Sequence, residues 1–320
     1  MIKIGIVGYG NLGKSAEKVV LSCKDMTLVA VFSRRKVTSD LGTTVEDYSK
    51  MSEYINKIDV MLLCGGSASD IPMQGREIIK SFNTVDSFDT HALLLDYYND
   101  MDKLGREYGH ISVIAAGWDP GLFSAMRLIF QNSLPDGDTY TFWGRGVSQG
   151  HSEAVRHISG VKYGIQYTVP KDEAINAIRK GERPNLSARQ KHLRVCYVVA
   201  EPNADLLTIE KTITNMPNYF ADYDTEVNFI SEDEFLENHT KMPHGGFVIR
   251  SGEVNGSKHT IEFSIKLEKN PDFTASILVS YARAAARLAE KGDTGARTIY
   301  EIPAILASDK PFCEVIKNLL

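Results

Sequence analysis

The chain opens Met1-Ile-Lys-Ile-Gly-Ile-Val-Gly-Tyr-Gly-Asn-Leu-Gly13, and Val29-Ala-Val-Phe-Ser-Arg-Arg35 follows a short interval later. A brief apolar strand runs into glycines at 8, 10 and 13, and a helix then carries Ala16, Val19 and Val20. This is the pattern of a βαβ dinucleotide-binding unit. Gly8 permits the tight turn, Gly10 lets a pyrophosphate approach the backbone, and Gly13 lets helix and strand pack closely. The phosphates then lie over free N–H groups at a helix N-terminus. NAD enzymes usually carry Asp or Glu roughly 20 residues on, to bond the ribose 2′-hydroxyl. Here Ser33, Arg34 and Arg35 stand at the end of the second strand. Two guanidiniums offer forked donors to a 2′-phosphate that a carboxylate would repel, so the expected cofactor is NADP. Elsewhere the arginine pair would read as a solvated loop; its place after the second strand decides otherwise.

At 320 residues the chain exceeds the usual size of one core, so two domains are expected. Apolar content of 43% and charged content of 24% match an ordinary globular protein. A net charge of −5 gives no broad attraction for nucleic acid or anionic lipid. No apolar stretch approaches bilayer length, and Lys3 and Glu17 interrupt the N-terminal segment. Cys23, Cys64, Cys196 and Cys313 are far apart and form no C-x-x-C, which favours reduced thiols in a cytoplasmic protein over a disulfide framework or zinc site.

Val45 to Lys57 reads as a short helical segment, Asp59 to Cys64 as a buried parallel strand, Gln74–Ser81 and His91–Tyr108 as helices, and His110–Ala116 as another strand. The alternation predicts an α/β, Rossmann-type doubly wound parallel sheet over residues 1–118. Asp119-Pro120 should open a helix through Ile129, with Asp119 as N-cap and Pro120 at its first position. Beyond Tyr140 extended segments dominate: Tyr140–Trp143, Gln166–Val169, Leu193–Ala200, Thr225–Ile230, Phe247–Ser251 and His259–Leu267. They predict a second α+β domain over 119–297 with a largely antiparallel sheet. Thr274 to Lys291 is alanine-rich and helical, and residues from about 298 to 320 are expected to return to the first domain.

Four segments in order carry a specific resemblance: Gly8-Tyr-Gly-Asn-Leu-Gly13, Val85-Asp-Ser-Phe-Asp-Thr-His91, Gly117-Trp-Asp-Pro-Gly121 and Phe142-Trp-Gly-Arg-Gly-Val-Ser-Gln-Gly-His151. Met242-Pro-His-Gly-Gly246 and Asn270-Pro-Asp-Phe-Thr-Ala275 extend it. The chain resembles the meso-diaminopimelate dehydrogenases along nearly its whole length, departing mildly at Ser69, where other members can carry Thr. The resemblance implies NADP-dependent oxidation of the D-configured α-carbon of meso-2,6-diaminopimelate to L-2-amino-6-oxopimelate and ammonia. The reverse reaction serves lysine biosynthesis. It further implies a homodimer that uses no metal.

The resemblance also assigns residues. The cofactor site draws on Gly8, Tyr9, Gly10, Asn11, Leu12 and Gly13; on Ser33, Arg34 and Arg35; on Cys64, Gly65, Gly66 and Ser67; on Ser87, Phe88 and Asp89; and on Ala116, Gly117, Trp118, Asp119 and Pro120. Asp89 and Asp119 face the reacting amine, as carboxylates that orient it and take its proton. Trp143 and Gln149 contact the substrate, and Thr168, Arg194, His244 and Asn270 hold the distal, L-configured end, with Arg194 as fork for its carboxylate. Read alone, each has an ordinary alternative. Asp119 is a helix cap, Asp89 a turn acid, Trp143 a core anchor, Arg194 an exposed strand-edge ion-pair former, and His244 a turn residue. His91, His151, His157 and His259 show no metal spacing.

Three other functions fit less well. Dihydrodipicolinate reductase carries a histidine-rich helix and a Lys-x-Asp-Ala-Pro-Ser-Gly-type segment, both missing here. A sugar-type oxidoreductase would show Glu-Lys-Pro where this chain has Asp86-Ser-Phe-Asp89. A non-catalytic NADP-sensing regulator would have no reason to keep polar groups suited to both ends of a diamino diacid.

Overall fold

Strands and helices alternate through the first part of the computed structural model, which describes residues 1–67 and 69–320: β1 (Ile2–Val7), α1 (Asn11–Ser22), β2 (Met26–Ser33), β3 (Val45–Asp47), β4 (Val60–Leu63), α2 (Asp70–Ile78), β5 (Asn83–Asp86), α3 (Leu94–Tyr108) and β6 (Ile111–Val113). With the late strand Gly295–Arg297 they form one parallel sheet, ordered Gly295–Arg297, β6, β5, β4, β1, β2, β3. The order reverses at β1, flanked by β4 and β2, and such a switch point is where open α/β sheets bind ligands.

Both faces of the sheet are covered, which is why β4 is apolar at all four positions. On one face Ile4, Ile6, Val31 and Leu62 pack with Ala16 and Val20 of α1 and with Ala275, Leu278, Ala282 and Ala285 of the helix Asn270–Glu290. On the other, Val7, Phe32, Met61 and Leu63 meet Ile78 and Phe82. The alanines let the late helix approach the strands closely. Residues Pro271–Leu320 accordingly form one compact unit with Met1–Ala125, and Met126–Asn270 form the other. The second unit is thus shorter than the expected span 119–297.

The expected helix over Val45–Lys57 is a correction. Val45–Asp47 instead extends the sheet as an edge strand, Val31 facing Val45, and a 3₁₀ segment Tyr48–Tyr54 follows, its first turn capped by Asp47 accepting from Ser49 N–H at 2.9 Å. The helix expected to open at Asp119-Pro120 begins at Leu122 (α4, Leu122–Ser133).

The second unit holds two sheets where one was expected. β7 (Gly137–Trp143) joins β12 (His244–Val254) and β13 (Ser257–Leu267) in the order β13, β12, β7. β8 (Gly146–Val147), β9 (Val161–Pro170), β10 (His192–Ala200) and β11 (Asp224–Phe229) form the other, ordered β11, β10, β9, β8, with β10 and β11 parallel. The β12–β13 hairpin turns at Asn255-Gly256, with φ of 52° and 80°, the two positive values a type I′ turn requires. Among the described residues no helix is long and apolar enough to cross a membrane.

Candidate active site

The glycine loop has the geometry its sequence requires. Gly8 has φ +93°, a Cβ on Gly13 would stand 2.0 Å from the Gly8 carbonyl oxygen, and nothing lies within 4 Å of where a Gly10 Cβ would be. Since α1 begins at Asn11, its free N–H groups open on the space beside Gly10. A cavity of about 220 Å³ there is shared by the loops after β1, β2 and β4, bringing Gly8 to Gly10, Ser33 to Arg35 and Cys64 to Gly66 together. Open backbone at Gly10 and two arginines at the rim fit a phosphorylated dinucleotide. Asp70, the first residue of α2, lines the same cavity and was not foreseen. Its carboxylate is engaged: Oδ1 accepts from Arg34 at 2.6 Å and Oδ2 from Gly66 N–H at 3.1 Å. Ser33 Oγ accepts from Arg35 N–H at 3.1 Å, which fixes the turn. Tyr9 turns its side chain inward to bond Glu17. Burial pushes the Cys64 thiol up to about 12, so it stays protonated.

Asp89 and Asp119 follow the adjacent strands β5 and β6. Asp89 is exposed, and its N–H donates to Ser67 Oγ at 2.8 Å, tying together the loops after β4 and β5. Asp119 lies in a tight loop in which Gly117 N–H reaches Pro120 O at 3.1 Å and Leu122 N–H reaches Gly117 O at 3.0 Å. Gly121 is required there, since a Cβ would stand 1.8 Å from Gly117 O. With α4 starting at Leu122, Asp119 stands three residues ahead of the helix, inside this backbone turn. The Trp118 ring packs edge-on against Phe123, centroids 5.2 Å apart.

One residue beneath these loops escaped the sequence reading. Asp86 is fully buried at the end of β5. Its Oδ1 accepts from Phe88 N–H at 2.9 Å and Ala115 N–H at 3.1 Å, and Oδ2 accepts from Tyr97 OH at 2.8 Å. Its carbonyl takes Ala116 N–H at 2.7 Å. A single side chain therefore braces both the Ser87–Asp89 loop and the Ala115–Asp119 loop. Burial pushes its pKa up to about 6, although the three donors pull the other way. Phe88 is itself core, its ring tilted 49° against Tyr97 with centroids 4.7 Å apart, so it offers only backbone to a ligand.

In the second unit the expected substrate residues converge. Thr168 on β9 lies directly between Gly146 on β8 and Arg194 on β10, and the Arg194 guanidinium donates to Thr168 Oγ1. Gly146 packs on His244, where a Cβ would meet the imidazole, and Val147 N–H donates to Pro243 O at 2.9 Å. Gln149 opens α5 (Gln149–Arg156) and reaches Met242, whose carbonyl accepts from Asn270 N–H at 3.1 Å. Trp143 ends β7, next to the same Gly144–Gly146 turn.

Arg194 is no strand-edge residue. It is 7% exposed, because β11 covers β10 on one side and β9 on the other. The Tyr223 ring lies 3.9 Å from its guanidinium, Nε has no acceptor, and among the described residues no carboxylate pairs with it. Burial lowers its pKa, with Tyr223 opposing. Nearby, His151 takes Ser148 OH on Nδ1 at 2.8 Å and donates from Nε2 to Tyr219 O at 3.1 Å, fixing the segment that leads to Tyr223. Burial and then the Arg194 charge bring the His151 pKa down to about 4.

Comparison with known proteins agrees with this geometry. Residues 117–269 match the model of the diaminopimelic acid dehydrogenase C-terminal domain. The meso-diaminopimelate D-dehydrogenase of Ureibacillus thermosphaericus is 53% identical over 100% of this chain and 99% of its own length. Among solved structures, the C. glutamicum DAP dehydrogenase in complex with DAP superposes with a TM-score of 0.93 at 42% identity, covering 100% of this chain and 99% of the other. An engineered D-amino acid dehydrogenase bound to NADP+ gives 0.88 at 41%, with the same coverage. With a fold, a nucleotide cradle and a polar cluster that all agree, this chain belongs to the meso-diaminopimelate D-dehydrogenase family.

Proposed function

We propose that this chain catalyses the NADP-dependent oxidative deamination of meso-2,6-diaminopimelate at its D centre, and the reverse reductive amination. The observation that carries the reading is Arg194, a buried guanidinium bonded to Thr168 and, among the described residues, without a carboxylate partner. Such a cation needs an anionic ligand, and a planar carboxylate suits its fork.

NADP+, when bound, supplies the hydride acceptor. The backbone of Gly8 to Gly13 and the start of α1 receive the pyrophosphate, while Arg34 and Arg35 hold the 2′-phosphate. Asp89 and Asp119 orient the ammonium at the reacting carbon and accept its proton, leaving a neutral amine whose lone pair forms C=N as the hydride departs. Water then adds to that carbon and ammonia leaves. Trp143 and Gln149 shape the substrate site, and Thr168, Arg194, His244 and Asn270 hold the distal carboxylate and ammonium. The first unit serves the dinucleotide, and the second serves the substrate and the contact between two copies of the chain. The enzyme acts as a homodimer in the cytoplasm, with no role for nucleic acid or membrane.

A site that holds the L centre at a fixed distance presents only a D centre to the cofactor. NADPH formation at alkaline pH is therefore expected from meso-diaminopimelate and not from the L,L isomer. Comparable turnover of L,L-diaminopimelate, or none with the meso compound, would overturn the reading.

A further inference from the structure

We infer that His192 is a positioning residue for the substrate site, holding Trp143 in place through its backbone and its ring at once. Trp143 is the last residue of β7, which pairs with β12 on one side only, Trp143 facing Gly246. On the open side its N–H donates to Nε2 of His192 at 2.9 Å. The imidazole also lies nearly parallel to the indole, with centroids 5.6 Å apart and 25° between planes, and it touches the Phe142 ring at 5.8 Å.

Three facts make the contact more than packing. His192 is 2% exposed, so water cannot readily replace it as acceptor for that N–H. Nε2 accepts, so the ring is neutral with its proton on Nδ1. Burial, aided by the charges of Arg194 and Lys191, keeps it neutral by lowering its pKa to about 3. Finally, His192 and Arg194 are two apart on β10 and share one face of the strand. That single strand face presents Arg194 directly and fixes Trp143 through His192, joining the three-stranded sheet to the four-stranded one at the substrate residues. The inference rests on the reading that Trp143 meets the substrate.

Two variants separate positioning from filling. His192→Phe keeps a ring against the indole but leaves the Trp143 N–H without an acceptor, whereas His192→Gln restores an acceptor at a similar reach. His192→Phe should lower kcat/KM for meso-diaminopimelate by about 10-fold to 100-fold, the loss that follows when a positioning group shifts by roughly an ångström, with the KM for NADP+ unchanged. His192→Gln should recover most of it. In fluorotryptophan-labelled protein the chain's two indoles report separately by fluorine NMR, and the Trp143 signal should shift or broaden in His192→Phe and return in His192→Gln. That readout needs no turnover, so a wild-type chain inactive on meso-diaminopimelate would sink the functional reading and leave this one testable. Wild-type kinetics in His192→Phe, a parallel rise in the KM for NADP+, or an unmoved Trp143 signal would each overturn the inference. So would a glutamine variant no better than the phenylalanine one.

Discussion

Arg194 concentrates the energetic tension of the second unit. Its guanidinium is buried, bonded to the neutral Thr168 hydroxyl and faced by the Tyr223 ring, and among the described residues no opposite charge repays its loss of water. Replacement by methionine should therefore cost roughly 2–4 kcal/mol in kcat/KM for meso-diaminopimelate, within the range for truncating one partner of a buried, hydrogen-bonded charge pair at a binding site. The KM for NADP+ should not change. Thermal stability should hold or rise, because an apolar side chain of similar reach replaces a desolvated cation. A variant that melts earlier and keeps normal kinetics would make Arg194 a purely structural residue. Local sequence pointed to an exposed strand edge, since Arg194 precedes the apolar run Val195–Ala200. Its place between β9 and β11, the latter some thirty residues on, buries it, and no local pattern encodes such partners. His192 and Asp86 were unread for the same reason: what they bond becomes neighbouring only after folding.

Among elements, the legible ones were those whose local pattern and burial agree. The uniformly apolar β4 follows from two covered faces, and the glycine loop from conformations few other residues reach. β3 was misread because three residues carry too little period to distinguish strand from helix. The Asn255-Gly256 turn was readable and would have paired β12 with β13 at once, but which strands join which sheet was not. The paired loops after β5 and β6 depend on Asp86, and Asp86→Asn tests that dependence. Asparagine keeps one acceptor oxygen but turns an NH₂ toward donors now served by a carboxylate. Loss of about 1–3 kcal/mol in denaturant stability is expected for the donor left unpaired. Should the loops carry the reacting carboxylates, kcat falls as well, beyond what any change in the KM for NADP+ explains. Lost stability with an intact kcat would separate Asp86 from the chemistry.

For the whole molecule, the alanine-rich helix Asn270–Glu290 decides how the chain divides, because its small side chains fit the Rossmann sheet. Three strongly shifted groups respond to acid in two directions. In Met126–Asn270, burial depresses His192 to about 3 and His151 to about 4, each from an ordinary 6.5. An unfolded chain takes up those protons near 6.5 while the folded one refuses them, so this stabilisation is complete above about 6.5 and drains away as pH falls. In Met1–Ala125, Asp86 is raised to about 6 from 3.8, so the folded state binds its proton first and gains stability over that interval as pH falls. Each histidine forfeits on the order of 3 kcal/mol between pH 6.5 and 4, at about 1.4 kcal/mol per pH unit. Among these three groups the two histidines outweigh the single carboxylate, so their net effect is a loss of stability as pH falls. His192→Gln removes one of the two losses. Urea midpoints measured from pH 7 to pH 4 should fall less steeply for that variant than for the wild type, and the curves should converge toward pH 4. Parallel curves would show that His192 does not resist protonation in the folded chain.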